Sequence, residues 1–352
     1  MEMPLGQRLK ELPGPLLLTG HTGFKGTWMT FLLEHLNVPV VGYSLPADKD
    51  SLFDRAERIG AIPEEFSDIR DYAALERFID LHKPSTIIHM AAQPLVLKSY
   101  ENPRDTFDVN VMGTVNVLDI AFKKDFVKAI IIVTTDKVYR NVNSGRAFIE
   151  TDPLEGKDPY SASKVGTEAV VAAWQQIARV SGGPVVVSVR AGNVIGGGDF
   201  ARDRIIPDLV RGIMDSNVVT IRNSSSTRPW LHVLDPLNGY IVLLEEMIRG
   251  NVNTTVNFSP EGNAISVEQI ASIAKKFFEQ RLTLEFTTKQ SHLEAQHLSL
   301  DSTLAQKELN WRANWSSVEA INKTMEWWMN YLDLNNPRSL IKEDIRNFYS
   351  SS

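Results

Sequence analysis

An α/β fold built on a doubly wound parallel sheet is what this 352-residue chain predicts, and three observations carry the prediction. Short apolar runs alternate with amphipathic stretches from Leu16 to Arg190, the texture of a parallel sheet with helices on both faces. The first run, Leu16-Leu17-Leu18-Thr19, passes through glycines at 20, 23 and 26 into an amphipathic segment, Thr27 to Leu33. A later run, Ile130 to Val133, ends in Thr134-Thr135-Asp136-Lys137, and the carboxyl ends of parallel strands are where ligands sit in open α/β sheets.

Composition narrows the partners. A chain with 43% hydrophobic and 23% charged residues is an ordinary globular protein, long enough for one large or two modest domains. The net charge of -6, without a basic run, argues against nucleic acid or an anionic membrane surface. With no cysteine there is neither a disulfide framework nor a thiolate metal site, which fits a reducing cytoplasm, and the reading calls for no metal. No stretch is long and apolar enough to span a bilayer, and Met1 to Pro15 is too polar for a signal peptide.

The elements follow in order. Strand, glycine turn and helix from Leu16 to Leu33 form a dinucleotide-binding unit. There Gly20 makes the tight turn, Gly23 admits a pyrophosphate and Gly26 lets helix and strand pack closely. The helix N-terminus offers free amides and partial positive charge to the phosphates. Val38 to Tyr43 is a second strand, near-continuously apolar as a strand buried on both faces should be. Ser44-Leu45-Pro46 follows it, with no acid for an adenosine ribose and no arginine for a 2′-phosphate, so NAD against NADP stays open. Phe66 to Asp71 is a short strand and turn before a helix from Tyr72 to Leu81; Asp68 either meets the adenine side or caps that helix.

Thr86 to Gln93 is a buried strand running into small residues, Ala91 and Ala92, that let a flat ligand lie close, with His89 a packed histidine. Asp105 to Phe122 has helical periodicity, and Asn110 within it is placed to hold a water or a main-chain carbonyl. The Ile130 strand comes next, then a helix from Pro159 to about Val180, then a sixth strand, Pro184 to Arg190. Residues 1–190 are therefore the dinucleotide (Rossmann) domain, to which a strand near 253–259 returns. Residues 191–352 are mainly a smaller α/β substrate domain, with a short strand at Leu282 to Phe286 and a Trp327-Trp328 helix read as packing.

Tyr160 and Lys164 are four apart and share a helix face. A cation beside a phenol stabilises the phenolate, and a tyrosine so tuned exchanges protons near neutral pH. Taken alone the pair also suits an exposed helix surface; the glycine loop makes it specific.

With Gly20, Gly23, Gly26, Thr135, Tyr160 and Lys164 in place, the chain resembles the extended short-chain dehydrogenase/reductase superfamily. Within it, the residues 20–26 (Gly-His-Thr-Gly-Phe-Lys-Gly) look like the opening of the CDP-glucose 4,6-dehydratases. So do 91–96 (Ala-Ala-Gln-Pro-Leu-Val), Thr134 to Lys137, Arg190 to Asp199 and Arg228 to Leu234. The resemblance runs from about Leu16 to about Tyr331. It departs at Tyr139 to Gly145, shorter and without the tryptophans usual in the family, and at Leu97-Lys98, where an arginine is usual.

The resemblance implies a homodimer paired through the helices Asp105–Phe122 and Tyr160–Val180, and an NAD site. That site comprises Gly20, Thr22, Gly23, Phe24, Lys25, Gly26, Asp68, Ile69, Ala91, Ala92, Gln93, Asn110 and Thr134 together with Tyr160 and Lys164. It implies a nucleotide-diphosphate hexose as substrate, with Gln93, Asn193, Arg204, Arg222, Arg228 and His232 on that side. A guanidinium forks onto phosphate oxygens, although structural salt bridges are the plainer role for each arginine.

The implied chemistry is oxidation of the sugar at C4, which acidifies C5, then loss of water across C5 and C6. Tyr160 takes the C4 hydroxyl proton with Thr135 on the same oxygen, Lys137 takes the C5 proton, and Asp136 protonates the departing C6 hydroxyl. Lys137 serves as a base only when neutral, which requires a protonated Asp136. The competing roles for Asp136 and Lys137 are those of an exposed ion pair. A 4-epimerase or simple C4 oxidoreductase needs Thr135, Tyr160 and Lys164 but no pair at 136 and 137. A non-catalytic dinucleotide-binding regulator needs neither Tyr160 nor Lys164.

Overall fold

The computed structural model describes residues 4–350 apart from 144, 203, 216–217, 222–223, 263, 279–280, 288–296 and 334. Its centre is a seven-stranded parallel sheet. Six strands come from the first half of the chain: β1 (Leu16–Thr19), β2 (Val40–Ser44), β3 (Glu64–Phe66), β4 (Thr86–His89), β5 (Ala129–Val133) and β6 (Val185–Ala191). The seventh, Val256–Phe258, returns from the second half and pairs with β6 through Val256 opposite Val189. The order across the sheet is 256–258, β6, β5, β4, β1, β2, β3, so the direction of winding reverses at β1 and β4. Their carboxyl ends bound the crevice in which such sheets bind ligands.

The central strands β1, β2, β4 and β5 are buried along their whole length, which explains why their sequences do not alternate polar and apolar. One core cluster runs from Leu9 through Leu16, Trp28 and Val189 to Ile241, Trp328 and Phe348, so both halves of the chain share it. The helix Leu234–Arg249 packs against β5 and β6. The sequence break at 190 is thus crossed by this helix as well as by the expected strand. Trp327 and Trp328 are fully buried, as their reading as packing residues requires.

Beyond the sheet, Asn193–Ile195 pairs with Trp230–His232, Thr227–Arg228 with Ile265–Ser266, and Val218–Ile221 with Thr283–Phe286. The expected helix from 105 to 122 is observed as Pro103–Phe107 and Gly113–Phe122 joined through one π-helical turn, Asp108–Met112. The Tyr72–His82 helix is capped by Asp71, whose carboxylate accepts from the Ala74 amide at 2.9 Å, and not by Asp68. Among the described residues no helix is long and apolar enough to cross a membrane.

Candidate active site

The glycine loop is shaped by close backbone approach. Gly20 has φ 72°, and a Cβ there would lie 2.7 Å from the Ala91 nitrogen. At Gly26 it would lie 2.2 Å from the Gly20 carbonyl oxygen, so only glycine lets the helix Phe24–His35 sit this close to β1. Gly23 stands at the N-cap of that helix, exposed and with no side chain capping it, which leaves the first amides directed outward. The Ala91 side of the crevice is braced from below. The Thr19 hydroxyl accepts from the Met90 and Ala91 amides at 3.1 and 3.2 Å and bonds His89 Nδ1 at 2.7 Å. Burial drives His89 down to about 3, so it is a neutral packing histidine.

Tyr160 and Lys164 lie on the first turns of the helix Pro159–Ser181. Pro159 occupies its first position, and Asp158 and Ser161 cap it reciprocally. The Ser99 hydroxyl also accepts from the Tyr160 amide at 3.1 Å. Across the crevice β5 ends in a short 3₁₀ turn, Asp136–Val138, whose Lys137 amide donates to Thr135 Oγ1 at 3.3 Å. Thr135 shares a hydrogen bond with the Tyr160 hydroxyl and donates to Asp136 Oδ1 at 3.0 Å. The other Asp136 oxygen, Oδ2, is buried and has no protein partner among the described residues. A Cβ on Gly192 would stand 3.5 Å from that oxygen.

Charge at this cluster is governed by burial. Desolvation is the largest influence on Tyr160, pushing it up to about 12 against the Thr135 hydrogen bond. Burial, then the charge of Lys25, brings Lys164 down to about 7, and its Nζ donates to the Val133 carbonyl at 3.0 Å. Burial, then Arg204, lowers Lys25 to about 8. Asp136 is raised by burial, opposed by Lys137, Thr135 and Arg228. The expectation that Lys164 depresses the Tyr160 phenol is corrected here: burial of the ring is the largest influence on Tyr160, and Lys164 is itself brought close to neutral.

Thr135, Asp136, Lys137, Tyr160 and Lys164 therefore converge, with Lys25, Arg204 and Arg228 close enough to act on them electrostatically. Arg204 is paired with Asp199 at 2.8 Å, and buried Arg228 donates to the Thr227 carbonyl at 2.8 Å. Asn193 is half-buried on the strand beside Trp230. Ile69 is buried beside Asp68, and Ala91 and Ala92 are half-buried at the end of β4.

Other candidates are placed differently. His232 does not line the crevice: it is fully buried between the edges of Trp28 and Trp315, 4.0 Å from Asp344. The Gln93 side chain is spent on the Leu95 amide and carbonyl and on Thr106, so it braces its own loop. Asn110 holds the Gln93 main chain through both its amide groups, the second alternative foreseen for it. The Thr22 hydroxyl bonds Ser44 and the Leu45 carbonyl, and Thr134 turns its hydroxyl beneath the sheet to Glu168. Asp68 is held by Arg70, which Asp105 and Asp108 also engage. Arg222 lies outside the described residues. The site residue that sequence reasoning missed is Glu168; its spacing of four from Lys164 on the same helix was the available signal.

Fold and site together define an extended short-chain dehydrogenase/reductase. The chain belongs to the GDP-mannose 4,6 dehydratase family, whose pattern matches residues 17–324. It is 36% identical to the CDP-glucose 4,6-dehydratase of Salmonella typhimurium over 96% of each chain. The dTDP-glucose 4,6-dehydratase of Haemophilus influenzae is 25% identical over 89% of this chain and 97% of its own. Two solved structures share the fold: the dTDP-glucose 4,6-dehydratase of Bacillus anthracis in complex with NAD (TM-score 0.76, 19% identity, 94% of this chain and 100% of that one), and the UDP-glucose 4-epimerase of Thermotoga maritima (TM-score 0.78, 22% identity, 90% and 99%).

Proposed function

We propose that this protein is an NAD-dependent nucleotide-sugar 4,6-dehydratase that converts CDP-glucose to CDP-4-keto-6-deoxyglucose. The observation that carries the reading is Asp136: a buried carboxyl with one oxygen unpartnered among the described residues, raised toward its protonated form, next to Lys137 and one hydrogen-bond step from Tyr160. A carboxyl in that state is an acid waiting for a leaving group. Epimerisation or simple C4 oxidation has no use for it. The identity to the Salmonella CDP-glucose enzyme supports the base and the sugar.

The residues present fit a dinucleotide. Gly20, Gly23 and Gly26 clear room, the amides at the start of the Phe24–His35 helix suit a pyrophosphate, and Ala91 stands against Gly20, with Ala92, Asp68 and Ile69 assigned to the adenosine side. The mutual repulsion of Lys25, Lys164 and Arg204 is relieved by an anion. Arg70, the cation on the adenine side, is surrounded by Asp68, Asp105 and Asp108, which disfavours a 2′-phosphate and supports NAD over NADP. When bound, the cofactor supplies a two-electron acceptor that is reduced and regenerated within one turnover.

Tyr160 accepts the C4 hydroxyl proton while Thr135 holds the same oxygen. Ketone formation at C4 acidifies C5. Lys137 then removes the C5 proton and Asp136 protonates the C6 hydroxyl, which departs as water. Arg204 and Arg228 take the diphosphate, and the segment around Asn193 faces the sugar. Residues 191–232 with 265–286 form the substrate half. Two chains pair through the helices 103–122 and 159–181, a dimer supported by the exposed Phe107, Met112, Ile177 and Val180 on them. The substrate class and a chain without cysteine suit the cytoplasm.

The test is incubation with NAD and, separately, CDP-glucose and the UDP-, dTDP- and GDP-hexoses, read by mass spectrometry. Loss of one water from CDP-glucose is expected. A C4 epimer or lasting cofactor reduction without mass loss moves the reading to epimerase or oxidoreductase.

A further inference from the structure

One buried ion pair grips the turn that carries Asp136 and Lys137 from both sides. Upstream, the Thr134 hydroxyl donates to Glu168 Oε1 at 2.6 Å. Downstream, the Tyr139 hydroxyl accepts from Arg190 Nη1 at 2.8 Å and donates to Asn257 Oδ1 at 2.8 Å. Glu168 and Arg190 meet as a fork, Nε on Oε1 and Nη2 on Oε2, each at 2.8 Å. Ser188 gives Oε2 its second bond at 2.7 Å, and Arg190 Nη1 also reaches the Glu150 carbonyl at 3.0 Å. Every acceptor site of the Glu168 carboxylate is therefore occupied. Burial opposes its ionisation, but Arg190, Thr134 and Ser188 outweigh burial and hold the carboxyl below its usual range.

Such a pair is poor evidence for stability. Both side chains are 5% exposed, and an apolar replacement of similar volume often serves a core as well. Its placement explains more. Thr134 and Tyr139 bracket residues 135–138, which include the whole 3₁₀ turn. Glu168 also follows Tyr160 and Lys164 at successive spacings of four along one helix. The helix that presents the oxidation residues thus also holds the turn that presents the elimination residues.

We infer that the Glu168–Arg190 pair is a positioning device, fixing Asp136 and Lys137 relative to Tyr160 so that both steps act on one bound sugar. The inference rests on the assignment of Asp136 and Lys137 as the elimination pair. In that step the C5 proton passes to Lys137, the C6–oxygen bond breaks, and the Asp136 proton leaves with that oxygen as water. Acid and base must meet neighbouring carbons at once, and a misplacement of about 1 Å costs on the order of 100-fold. Tyr160 is independently set by the capped helix start and by Ser99.

The test uses the full-length protein with NAD and CDP-glucose. Thr134→Val and Tyr139→Phe each remove one hydroxyl and keep the side-chain shape. Rapid mixing follows cofactor reduction by absorbance, and quenched samples follow water loss by mass spectrometry. In Tyr139→Phe we expect cofactor reduction and KM to stay within about twofold of native while water loss slows by roughly 10- to 100-fold, whereas Thr134→Val, which borders Thr135, should slow both steps. Reduced cofactor should then accumulate in Tyr139→Phe where the native enzyme shows none. In Tyr139→Phe, proportional loss of both steps or unaltered water loss overturns the positioning role. A native protein that releases no water from CDP-glucose instead overturns the dehydratase reading, and this inference with it.

Discussion

Replacing Lys164 with methionine should make the ligand-free protein more stable and nearly inactive. Burial and the charge of Lys25 draw the Lys164 ammonium from 10.5 down to about 7. The folded state therefore binds this proton less well than the unfolded chain does. The penalty is full below about pH 7 and is relieved as pH climbs from 7 toward 10.5, so the contribution of Lys164 to native stability rises with pH across that window. A shift of this size amounts to about 4 kcal/mol of destabilisation at pH 7. Methionine removes that penalty and also leaves the Val133 carbonyl without its donor, a loss of about 1 to 3 kcal/mol. The variant should thus gain about 2 kcal/mol, seen as a thermal midpoint a few degrees higher.

Thermal melts of cofactor-stripped native and variant protein, from about pH 6 to about pH 9, check both the size and the sign. The variant's advantage should be largest near pH 6 and shrink as pH rises through 7 toward about 9. Lys25, lowered to about 8, and Asp235 and Asp344, raised to about 8 by burial, titrate in both proteins and cancel in the difference. Turnover should fall by about 10² to 10⁴. A variant that is less stable than native at pH 7 and keeps the full pH dependence would falsify the account of Lys164 as a buried, near-neutral amine.

Lys137→Ala should abolish water loss, by about 10² to 10⁴, while leaving cofactor reduction by CDP-glucose measurable; full dehydratase turnover would remove Lys137 from the mechanism. Gly26→Ala drives a Cβ to within 2.2 Å of the Gly20 carbonyl, so NAD binding measured by calorimetry should be lost, and unaltered affinity would mean the loop is not the cofactor cradle. His232 is driven down to about 3 by burial, so the fold holds it neutral while the unfolded chain protonates it below 6.5. Native stability should therefore decline as pH falls through that range, and His232→Phe should recover about 2 to 3 kcal/mol at roughly pH 4.5, read from urea midpoints. Equal acid sensitivity in native and variant would show that the ring is already solvated.

The parts legible in the sequence are those written over short spans. Three glycines within seven residues, Pro159 opening a helix, and Tyr160 four residues from Lys164 are local patterns, and the structure places them as read. What escaped is decided by contacts between distant segments. Glu168 and Arg190 are 22 residues apart, and nothing in either neighbourhood shows that their fork joins Thr134 to Tyr139. His232 sits in one of the strings that carry the resemblance, but its side chain meets Trp28 and Trp315, from opposite ends of the chain. The side chains of Gln93 and Thr22 are engaged within the protein for another reason. Each is polar and correctly located, yet a loop at a strand end must satisfy its own main chain first.

Burial pushes four groups at the centre of the site toward neutrality. Tyr160 and Asp136 move up, and Lys25 and Lys164 move down. For these four groups burial favours the neutral forms, which would suit Asp136 as an acid and would not suit Tyr160 as a base. The charges that would change this arrive with the ligands. A diphosphate near Lys25 and Arg204 favours their protonated forms, and a cationic ring near the phenol favours phenolate. On the proposed reading those charges would prepare Tyr160 for oxidation, while Asp136, whose Oδ2 lies toward Gly192, would keep the proton it delivers.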